Sequence, residues 1–304
     1  MEILVTGGAG YKGVKLTSKL IGEGYNVTVL DNFMYGYEPF LHLVENKNLN
    51  VIKQDIRNKI ETIQKYDVIF HLAGLSGLPA CAANPSSAHL INVEATKQLV
   101  DSLSKDQLLI YASTTSFYGK SGSKCNEETP VDPVSHYGKT KYLAEQIVMQ
   151  HPNSISLRFA TVFGFSPKMR MDLMVNDFTY KALKEGVVVL FDSYAKRTFI
   201  HIDDAVDCYH FALKNSTKMA GHIFNAGGDH LNFSKLEIAE AVKKQIDYRI
   251  IDSDVKDKDV RHFIIDFTRI RETGFEPKRS LDEGINTMLN IFRYYDYFTH
   301  YKTI

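Results

Sequence analysis

The sequence has no surplus of charge of either sign. Among its 304 residues, 36 are Lys or Arg and 36 are Asp or Glu, so the formal net charge is zero. A chain with this balance has no long-range field to attract nucleic acid or an anionic membrane surface. We therefore expect neither partner, and an anionic ligand must be bound by local groups.

Cysteine and long apolar runs are also scarce. Cys81, Cys125 and Cys208 are too few and too scattered for a disulfide framework or a metal-binding knuckle. No apolar run approaches the roughly 20 residues that span a bilayer, and no charged leader with an apolar stretch precedes the first strand pattern. These features predict a cytoplasmic protein without a bound metal.

Short apolar runs alternate with helical patterns in the first half of the chain. Strands are predicted at 3–5, 27–30, 51–53, 68–72, 108–112 and 155–158, with helices near 14–22, 86–104 and 137–150. This alternation is typical of a parallel sheet covered by helices on both faces. It predicts an α/β fold built on a doubly wound parallel sheet.

The second half is less regular. Helices are predicted near 171–185, 203–214, 234–246 and 281–295, strands at 187–190 and 199–202, and an exposed loop at 251–261. We interpret it as a smaller, mixed α/β lobe that binds substrate. The predicted division assigns 1–165 to a nucleotide-binding domain, with 190–225 returning to it, and 166–189 and 226–304 to the substrate lobe.

Three glycines after the first strand have a spacing suited to a dinucleotide. Gly7, Gly10 and Gly13 allow a tight turn, a close backbone approach to a pyrophosphate, and close packing of helix on sheet. The helix that follows directs free amide groups and its dipole at the phosphates. A strand–turn–helix can be glycine-rich without binding a nucleotide, so the loop needs support from its context.

Asp31 supplies that context. It ends the second predicted strand, eighteen residues after Gly13, where a carboxylate can accept hydrogen bonds from both ribose hydroxyls. The carboxylate would repel a 2′-phosphate, and no Arg follows within several residues. NAD is therefore favoured over NADP, although Asp also forms turns at strand ends.

Tyr137 and Lys141 are four residues apart at the start of a predicted helix. Residues at this spacing share one helix face, with Cβ atoms about 5–6 Å apart. An ammonium beside a phenol lowers the pKa of the phenol, which could then act as a general base. Thr114, at the end of the fifth strand, would orient the substrate oxygen. The alternative for the Tyr–Lys pair alone is an ordinary surface contact.

Ordered motifs continue along almost the whole chain. They are TGGAGYKG at 6–13, DN at 31–32, DIR at 55–57, HLAG at 71–74, NVEAT at 92–96, YASTTSFYG at 111–119, YGKTK at 137–141, LRFATVFG at 157–164, RTFIHIDD at 197–204 and FNAGG at 224–228. Together they resemble the extended short-chain dehydrogenase/reductases of the NAD-dependent epimerase/dehydratase group. That resemblance implies a Rossmann fold, NAD as cofactor and a nucleotide sugar as substrate.

The resemblance also implies roles for individual residues. Thr114, Tyr137 and Lys141 are implied to be catalytic. The residues expected at the cofactor are Gly7, Gly10, Tyr11, Lys12, Gly13, Asp31, Asn32, Asp55, Ile56, Ala73, Asn92, Ser113, Tyr137 and Lys141. Lys12 stands where most of the family has Ile or Leu, and it either contacts a phosphate or projects to solvent.

Three further residues are implied to bind the substrate. Arg197 and Arg261 would hold its diphosphate through charge-assisted hydrogen bonds, with a surface salt bridge as the alternative for each. Asn176 would contact the sugar or a phosphate, with a structural cap or an exposed position as the alternative.

Two positions narrow the reaction. Dehydratases of the family carry Asp-Glu directly after the catalytic Thr, where this chain has Thr115 and Ser116. Reductases that also epimerise C3 and C5 carry Cys at the second of these positions. Cys81 is a possible substitute near the nicotinamide side, but we expect it to be a small buried hydrophobe. With these two reaction types disfavoured, the expected reaction is hydride transfer at a single carbon of the sugar.

We expect a nucleotide-sugar 4-epimerase that keeps its NAD through the cycle. The alternatives are a net C4 dehydrogenase or 4-ketoreductase, and a non-catalytic NAD-binding sensor. The resemblance further implies a homodimer formed by the helices near 86–104 and 137–150.

Overall fold

A computed structural model describes residues 1–119, 124–255 and 264–297. Its strands are β1 Glu2–Thr6, β2 Asn26–Asp31, β3 Leu49–Lys53, β4 Val68–His71, β5 Leu108–Thr114, β6 Lys124–Cys125, β7 Ser154–Phe159, β8 Thr161–Phe163, β9 Val187–Phe191, β10 Lys196–His201, β11 His222–Ala226, β12 Asn232–Ser234, β13 Arg249–Ser253 and β14 Ile264–Ile265. Its α-helices are α1 Tyr11–Gly22, α2 Leu78–Ala83, α3 Pro85–His89, α4 Ala95–Asp101, α5 His136–Val148, α6 Met174–Lys184, α7 Ile202–Lys214, α8 Ser216–Met219, α9 Lys235–Lys243, α10 Thr268–Glu272 and α11 Leu281–Phe292. A π turn at Leu90–Glu94 joins α3 to α4, and short 3₁₀ turns lie at Glu38–Leu43, Ile63–Lys65, Thr115–Tyr118 and Asp229–Leu231.

The central sheet has seven strands in the order β11-β7-β5-β4-β1-β2-β3. Every neighbouring pair in it is parallel. The order runs outward in both directions from β1, which confirms the predicted doubly wound sheet. Such a sheet brings the carboxyl ends of its strands to one edge, where ligands bind in open α/β folds.

The two faces of this sheet are covered by different helices. Ile3 and Val5 of β1 belong to the larger core, which also contains residues of α1 and α7, and α1 packs against α7. Leu4 points the other way, into a smaller core that includes Ala144 of α5 and Leu99 of α4. An uninterrupted apolar strand is what burial on both faces requires.

The remaining elements form smaller units. The short strands pair as β12-β10-β8, β13-β9 and β14-β6. Helices α6, α9 and α11 pack against one another, and α6 and α9 also contact β9. Capping boxes fix the starts of α9 and α11, where Ser234 pairs with Glu237 and Ser280 with Glu283.

The prediction of an exposed loop at 251–261 was wrong at its start. Residues 251–253 belong to β13, which pairs in parallel with β9. The pair has no further strand on either side among the described residues, and Ile251 is exposed. A partly exposed strand with polar residues lacks the apolar run that identifies a buried one. Residues 256–261 lie outside the described residues.

Among the helices in the described part of the chain, none combines the length and apolar character that crossing a bilayer requires.

Candidate active site

The candidate site lies at the carboxyl edge of the central sheet. β1, β2, β4 and β5 end there at Thr6, Asp31, His71 and Thr114. The segments that follow these strands contain most of the residues expected at the cofactor. The parallel sheet therefore brings together residues that are far apart in sequence.

The glycine loop packs too tightly for side chains at Gly7, Gly8 and Gly13. Gly7 has φ +71°, and a Cβ there would lie 2.6 Å from the backbone nitrogen of Ala73. A Cβ on Gly13 would lie 2.2 Å from the carbonyl oxygen of Gly7. Gly10, at the N-cap of α1, accepts the amide of Val14 at 3.0 Å. The loop thus exposes backbone at the N-terminus of α1, which suits a pyrophosphate.

The Asp31 carboxylate ties this loop to the end of β2. Its Oδ2 accepts the amide of Ala9 at 3.0 Å, and its Oδ1 accepts the amide of Phe33 at 2.8 Å. Burial raises the pKa of Asp31, and the backbone hydrogen bonds oppose that rise. Asn32 is exposed and accepts the amide of Met34 at 3.0 Å. Each Asp31 oxygen keeps acceptor capacity for a ribose hydroxyl.

Asp55 and Ile56 follow β3. Arg57 holds the Asp55 carboxylate with its Nε at 2.9 Å and its Nη2 at 2.7 Å, and this lowers the pKa of Asp55. The Ile56 side chain is buried in the smaller core. Ile56 therefore presents backbone, and not its side chain, to a ligand.

Ala73 and Asn92, which are expected at the cofactor, form hydrogen bonds with the segments around them. The amide of Ala73 donates to Thr6 Oγ1 at 3.3 Å. The side chain of Asn92 accepts the Leu75 amide at 2.8 Å and donates to the Leu75 carbonyl and to Thr140 Oγ1, both at 3.0 Å. Asn92 is expected at the cofactor, and its described contacts join the segment after β4 to α5.

Ser113 supplies a hydroxyl without a protein partner. It is 3% exposed at the end of β5, and its Oγ has no hydrogen bond to any of the described residues. A buried unpaired hydroxyl costs about 1–3 kcal/mol. A polar ligand atom at this edge would remove that cost. Together with the crowded glycine loop, this hydroxyl fits a bound dinucleotide.

Tyr137 and Thr114 meet at the same edge. Ser135 caps α5 by accepting the amide of Gly138 at 3.0 Å, which begins the helix just before Tyr137. Burial raises the pKa of the Tyr137 phenol, and Arg170 and hydrogen bonds with Ser76 and Thr114 oppose it. Thr114 also bonds Ser116, with 3.0 Å between the two hydroxyl oxygens. Because α5 packs against β5, the candidate base and the candidate orienting hydroxyl lie in the same part of the site.

Lys141 lies one turn further along α5. It is buried, with its Nζ 4.0 Å from the ring centroid of Tyr111. Burial first, and then the charge of Lys12, lower the pKa of Lys141 to about 7, while Glu145 opposes this. Sequence reasoning assigned the cation beside the phenol to Lys141. In the structure, Arg170 is the foremost of the protein groups that lower the pKa of Tyr137.

Lys12 and Tyr11 occupy different positions beneath the glycine loop. The Lys12 Nζ lies 4.4 Å from the Phe159 ring centroid and 5.5 Å from that of Tyr209. Burial and then Arg170 lower the pKa of Lys12 to about 7. The Tyr11 hydroxyl donates to the Gly164 carbonyl at 2.6 Å, so Tyr11 joins α1 to the segment after β8.

The three residues expected at the substrate differ in their burial and position. Asn176 is fully buried; it accepts the Gly164 amide at 3.0 Å and donates to the Arg170 carbonyl at 3.0 Å and the Tyr11 hydroxyl at 3.3 Å. Arg197 is partly buried on β10, opposite Phe233 of β12. Arg261 lies outside the described residues. Asn176 thus joins the segment after β8 to the first turn of α1.

Ser76 and Arg170 were missed by sequence reasoning. Arg170 Nη1 donates to Ser76 Oγ at 3.0 Å, and both residues act on the Tyr137 phenol. Arg170 lies in the stretch SPKMRMDLMVND at 166–177, which also resembles a subgroup of C4-acting enzymes. A lone Arg in that stretch was the available signal, but nothing in the sequence joins it to position 76.

The three cysteines are all buried, and none of them forms a disulfide. Cys81 Sγ donates to the Leu75 carbonyl at 3.4 Å, and burial raises the pKa of its thiol to about 11. A thiol with a raised pKa is a poor acid–base group at neutral pH. This agrees with the expectation that Cys81 acts as a small hydrophobe.

A model of the NAD dependent epimerase/dehydratase family matches residues 3–227. A CDP-paratose 2-epimerase of Salmonella typhi is 29% identical, and the match covers 95% of this chain and 98% of that protein. An uncharacterised UDP-glucose epimerase of Bacillus subtilis is 32% identical, with 75% of this chain and 77% of that protein covered.

A solved structure also matches almost the whole chain. The crystal structure of UDP-glucuronic acid 4-epimerase from Bacillus cereus, in complex with UDP-glucuronic acid and NAD, matches with a TM-score of 0.87. Its sequence is 25% identical, and the match covers 96% of this chain and 99% of that one.

Proposed function

The chain belongs to the NAD-dependent epimerase/dehydratase family, and from this premise we propose that it is a nucleotide-sugar 4-epimerase with Tyr137 as its base. The observation that carries the proposal is the packing of α5, whose first turn contains Tyr137, against β5, which ends at Thr114 at the carboxyl edge of the sheet. The glycine loop and Asp31 lie at the same edge. The nucleotide and the sugar are left open.

The cofactor is NAD, in keeping with the family and with the NAD in the Bacillus cereus structure. We assign its pyrophosphate to the loop of Gly7, Gly10 and Gly13, and its adenosine ribose to Asp31. When bound, NAD would supply the hydride chemistry, because its nicotinamide can accept a hydride from C4 of the sugar and give it back to the other face of that carbon.

The protein residues handle the proton and the orientation. Tyr137 would remove the proton of the C4 hydroxyl as the hydride leaves, and Thr114 would hold the same oxygen by a hydrogen bond. Lys141 would contribute positive charge on the same face of α5. Arg197 and Arg261 would hold the diphosphate, so that the 4-keto sugar can turn about that anchor before the hydride returns.

The two residues after Thr114 support epimerisation over water loss. Thr115 and Ser116 lack the carboxylates that dehydration needs to remove and return protons. The relatives include both a 2-epimerase and 4-epimerases, so the carbon is the part of the proposal that experiment must determine. A net C4 dehydrogenase or 4-ketoreductase is the second candidate, because it would use the same residues and differ in releasing the ketone.

The test is incubation with a panel of nucleotide sugars, with and without added NAD, followed by mass spectrometry and proton NMR. An epimerase forms an isomer of unchanged mass without consuming cofactor, and NMR identifies the inverted carbon. A product lacking two hydrogens, formed with matching NADH, would assign the chain to the dehydrogenases instead.

Tyr137→Phe provides the matching variant. We expect it to bind NAD as the parent does and to lose nearly all turnover, about 10²–10⁴-fold, because it removes the general base alone. NAD binding is measured by calorimetry and turnover by the isomer assay. Retention of turnover would contradict the assignment of Tyr137, and unchanged function in cells would favour a sensor.

We further propose a cytoplasmic homodimer whose substrate lobe comprises 166–189 and 226–304. Three buried cysteines that form no disulfide suit a reducing compartment. The proposed dimer surface is formed by α3, α4 and α5.

A further inference from the structure

The Lys141 ammonium has no countercharge in the part of the chain that the structure describes. Its side chain is buried on α5 and forms no salt bridge or hydrogen bond with any of those residues. Glu145, one turn further along the helix, pairs elsewhere: its Oε1 accepts Nη2 of Arg158 at 2.7 Å, and its Oε2 accepts the Ser156 hydroxyl at 2.7 Å. The buried lysine is therefore held by something other than a carboxylate.

The ammonium lies over the ring of Tyr111, on β5. The Lys141 Nζ is 4.0 Å from the centroid of that ring, inside the limit of about 6 Å for a cation–π attraction. The Tyr111 hydroxyl is buried and has no hydrogen-bond partner among the described residues. Burial raises the pKa of the Tyr111 phenol well above its ordinary value, so the residue stays neutral. Tyr111 thus offers the ammonium a ring face and no countercharge.

The Tyr111 ring is fixed by its neighbour on β4. His71 pairs in register with Tyr111, and the two rings stack with 5.7 Å between their centroids. His71 Nδ1 lies 2.7 Å from Thr6 Oγ1, and its Nε2 lies 3.0 Å from Thr96 Oγ1. Because the Thr96 hydroxyl donates to the Asn92 carbonyl at 2.7 Å, it accepts the hydrogen of Nε2 and leaves Nδ1 to accept from Thr6. The imidazole is therefore neutral, with both nitrogens hydrogen-bonded.

A ring face and a carboxylate differ in what they leave to a ligand. A carboxylate would accept the N–H donors of the ammonium and cancel its charge, whereas a ring attracts the charge and leaves those donors unused. We propose that Tyr111 is a positioning residue whose ring holds the Lys141 ammonium one turn of α5 beyond Tyr137 and leaves its N–H donors to a ligand of the site. Its role in the reaction rests on the proposed function.

Other titratable groups also act on this ammonium. Burial and then Lys12 of α1 lower the pKa of Lys141 to about 7, whereas Glu145 of its own helix and Cys81 of α2 raise it. His71 stays neutral, because burial and then Lys141 lower its pKa to about 3. A cation–π attraction favours the charged form of Lys141, so removing the ring should lower the pKa of Lys141 further.

The test is an NMR titration of the full chain, labelled with ¹³C at the lysine ε carbons, in which the Lys141 signal is assigned by its loss in Lys141→Arg. In Tyr111→Leu, which removes the ring, we expect the Lys141 midpoint to fall by roughly 0.5–1.5 units, the range that cation–π attractions span. Tyr111→Phe keeps the ring and removes only a hydroxyl without a partner, so it should keep the midpoint of the parent. A fall in Tyr111→Phe as large as that in Tyr111→Leu would overturn the inference.

A fluorinated ring separates the charge distribution of the ring from its shape. Tyr111→trifluorophenylalanine, introduced by a suppressor tRNA, keeps nearly the shape of the Phe variant and weakens the negative potential of the ring face. Its Lys141 midpoint should lie below that of Tyr111→Phe, and this comparison decides the matter if Tyr111→Leu does not fold. Equal midpoints in the two variants would overturn the inference.

Phe224→Leu is the matched control. Phe224 is a buried ring on β11 of the same sheet, and no cation of the described residues lies over it. This variant should leave the Lys141 midpoint where it is in the parent. An equal fall in the control would refute the role of Tyr111, because the shift would then follow from a loosened core.

Turnover separates this inference from the proposed function. A fall of one unit from a pKa of about 7 leaves about a tenth of Lys141 charged at pH 7 in place of half, so kcat should fall about fivefold in Tyr111→Leu and be retained in Tyr111→Phe. A shifted titration with an unchanged kcat would overturn the positioning role. Turnover that survives Tyr137→Phe, with the titration as expected, would end the proposed function alone. An inactive Tyr137→Phe with an unmoved titration in Tyr111→Leu would end this inference alone.

Discussion

At the scale of single residues, Lys12 lies at the proposed cofactor site, and its unpaired charge is unfavourable for the stability of the fold. Lys12 lies in the first turn of α1, within the loop motif that we assign to NAD, and its ammonium lies over the rings of Phe159 of β7 and Tyr209 of α7. No carboxylate among the described residues forms a salt bridge with it. A partly buried cation without a countercharge favours its neutral form, and an anionic ligand would change that balance.

We predict that Lys12→Met stabilises nucleotide-free protein at neutral pH and flattens its pH dependence. The pKa of Lys12 falls from 10.5 to about 7 on folding, so the unfolded chain binds more protons between these values. Stability therefore rises with pH across this window, and the variant should lose part of the rise. Urea unfolding at several pH values measures it.

Lys15→Met removes the same charge from the same helix and is the control, because Lys15 pairs with Asp203. Parallel pH dependences for the parent and Lys12→Met would contradict the prediction. If Lys12 contacts a cofactor phosphate, the variant should also bind NAD more weakly.

At the scale of elements, α5 links the candidate chemistry to the core. Tyr137, Lys141 and Glu145 follow one another at intervals of four residues and so share a helix face. Glu145 is fully buried and forms a salt bridge with Arg158 of β7 at 2.7 Å. Its second oxygen accepts the Ser156 hydroxyl at 2.7 Å. The carboxylate thus fixes α5 against the strand that ends at the site.

We predict that Glu145→Gln lowers the free energy of unfolding by about 3–5 kcal/mol, because it leaves the Arg158 charge buried without its countercharge. Denaturant unfolding with an unchanged m-value would measure the loss. Glu128→Gln breaks a pair with Arg269 in which Glu128 is exposed, and it should cost little. Similar losses in the two variants would refute the argument from burial.

The sequence predicts elements well where burial is uniform. The strands of the central sheet up to β7 lie within a few residues of their predicted positions, because apolar runs such as Ile3 to Val5 are buried on both faces. The predicted helix at 86–104 is instead three successive helical segments with a π turn at Leu90–Glu94. β11 was not predicted as a strand, although its FNAGG motif was recognised.

The candidate site was predictable only where a motif carries it. The glycines and the Tyr137–Lys141 spacing are local patterns, so they could be identified without a structure. The Arg170–Ser76 contact joins residues 94 positions apart, and no local pattern encodes it. Asn92 and Asn176 were identified, but their protein partners became visible only in the structure.

At the scale of the whole molecule, the proposed dimer would cover apolar surface on α5 and the π turn before α4. Leu143 of α5 is 45% exposed and Leu90 of the π turn is 46% exposed. The π turn packs against α5. We place the proposed interface on these two packed elements because each has an exposed apolar side chain.

We predict that Leu143→Asp shifts the protein from dimer to monomer, because a charge would be buried in the interface without a partner. Size-exclusion chromatography with light scattering measures the mass. Tyr294→Asp, at a residue that is 80% exposed after α11, should leave the mass unchanged. A parent that is already monomeric would rule out the proposed dimer.

The shared face of α5 also determines where this chain can change length. Each residue inserted into a helix turns everything after it by about 100° and advances it by about 1.5 Å. An insertion between Tyr137 and Glu145 would therefore separate the base from the lysine, or the lysine from its anchor in the core. The segment between β8 and α6 has no such periodicity, so residues could be added there away from Arg170. Related sequences are therefore expected to vary in length between β8 and α6, in the proposed substrate lobe, while the spacing within α5 stays fixed.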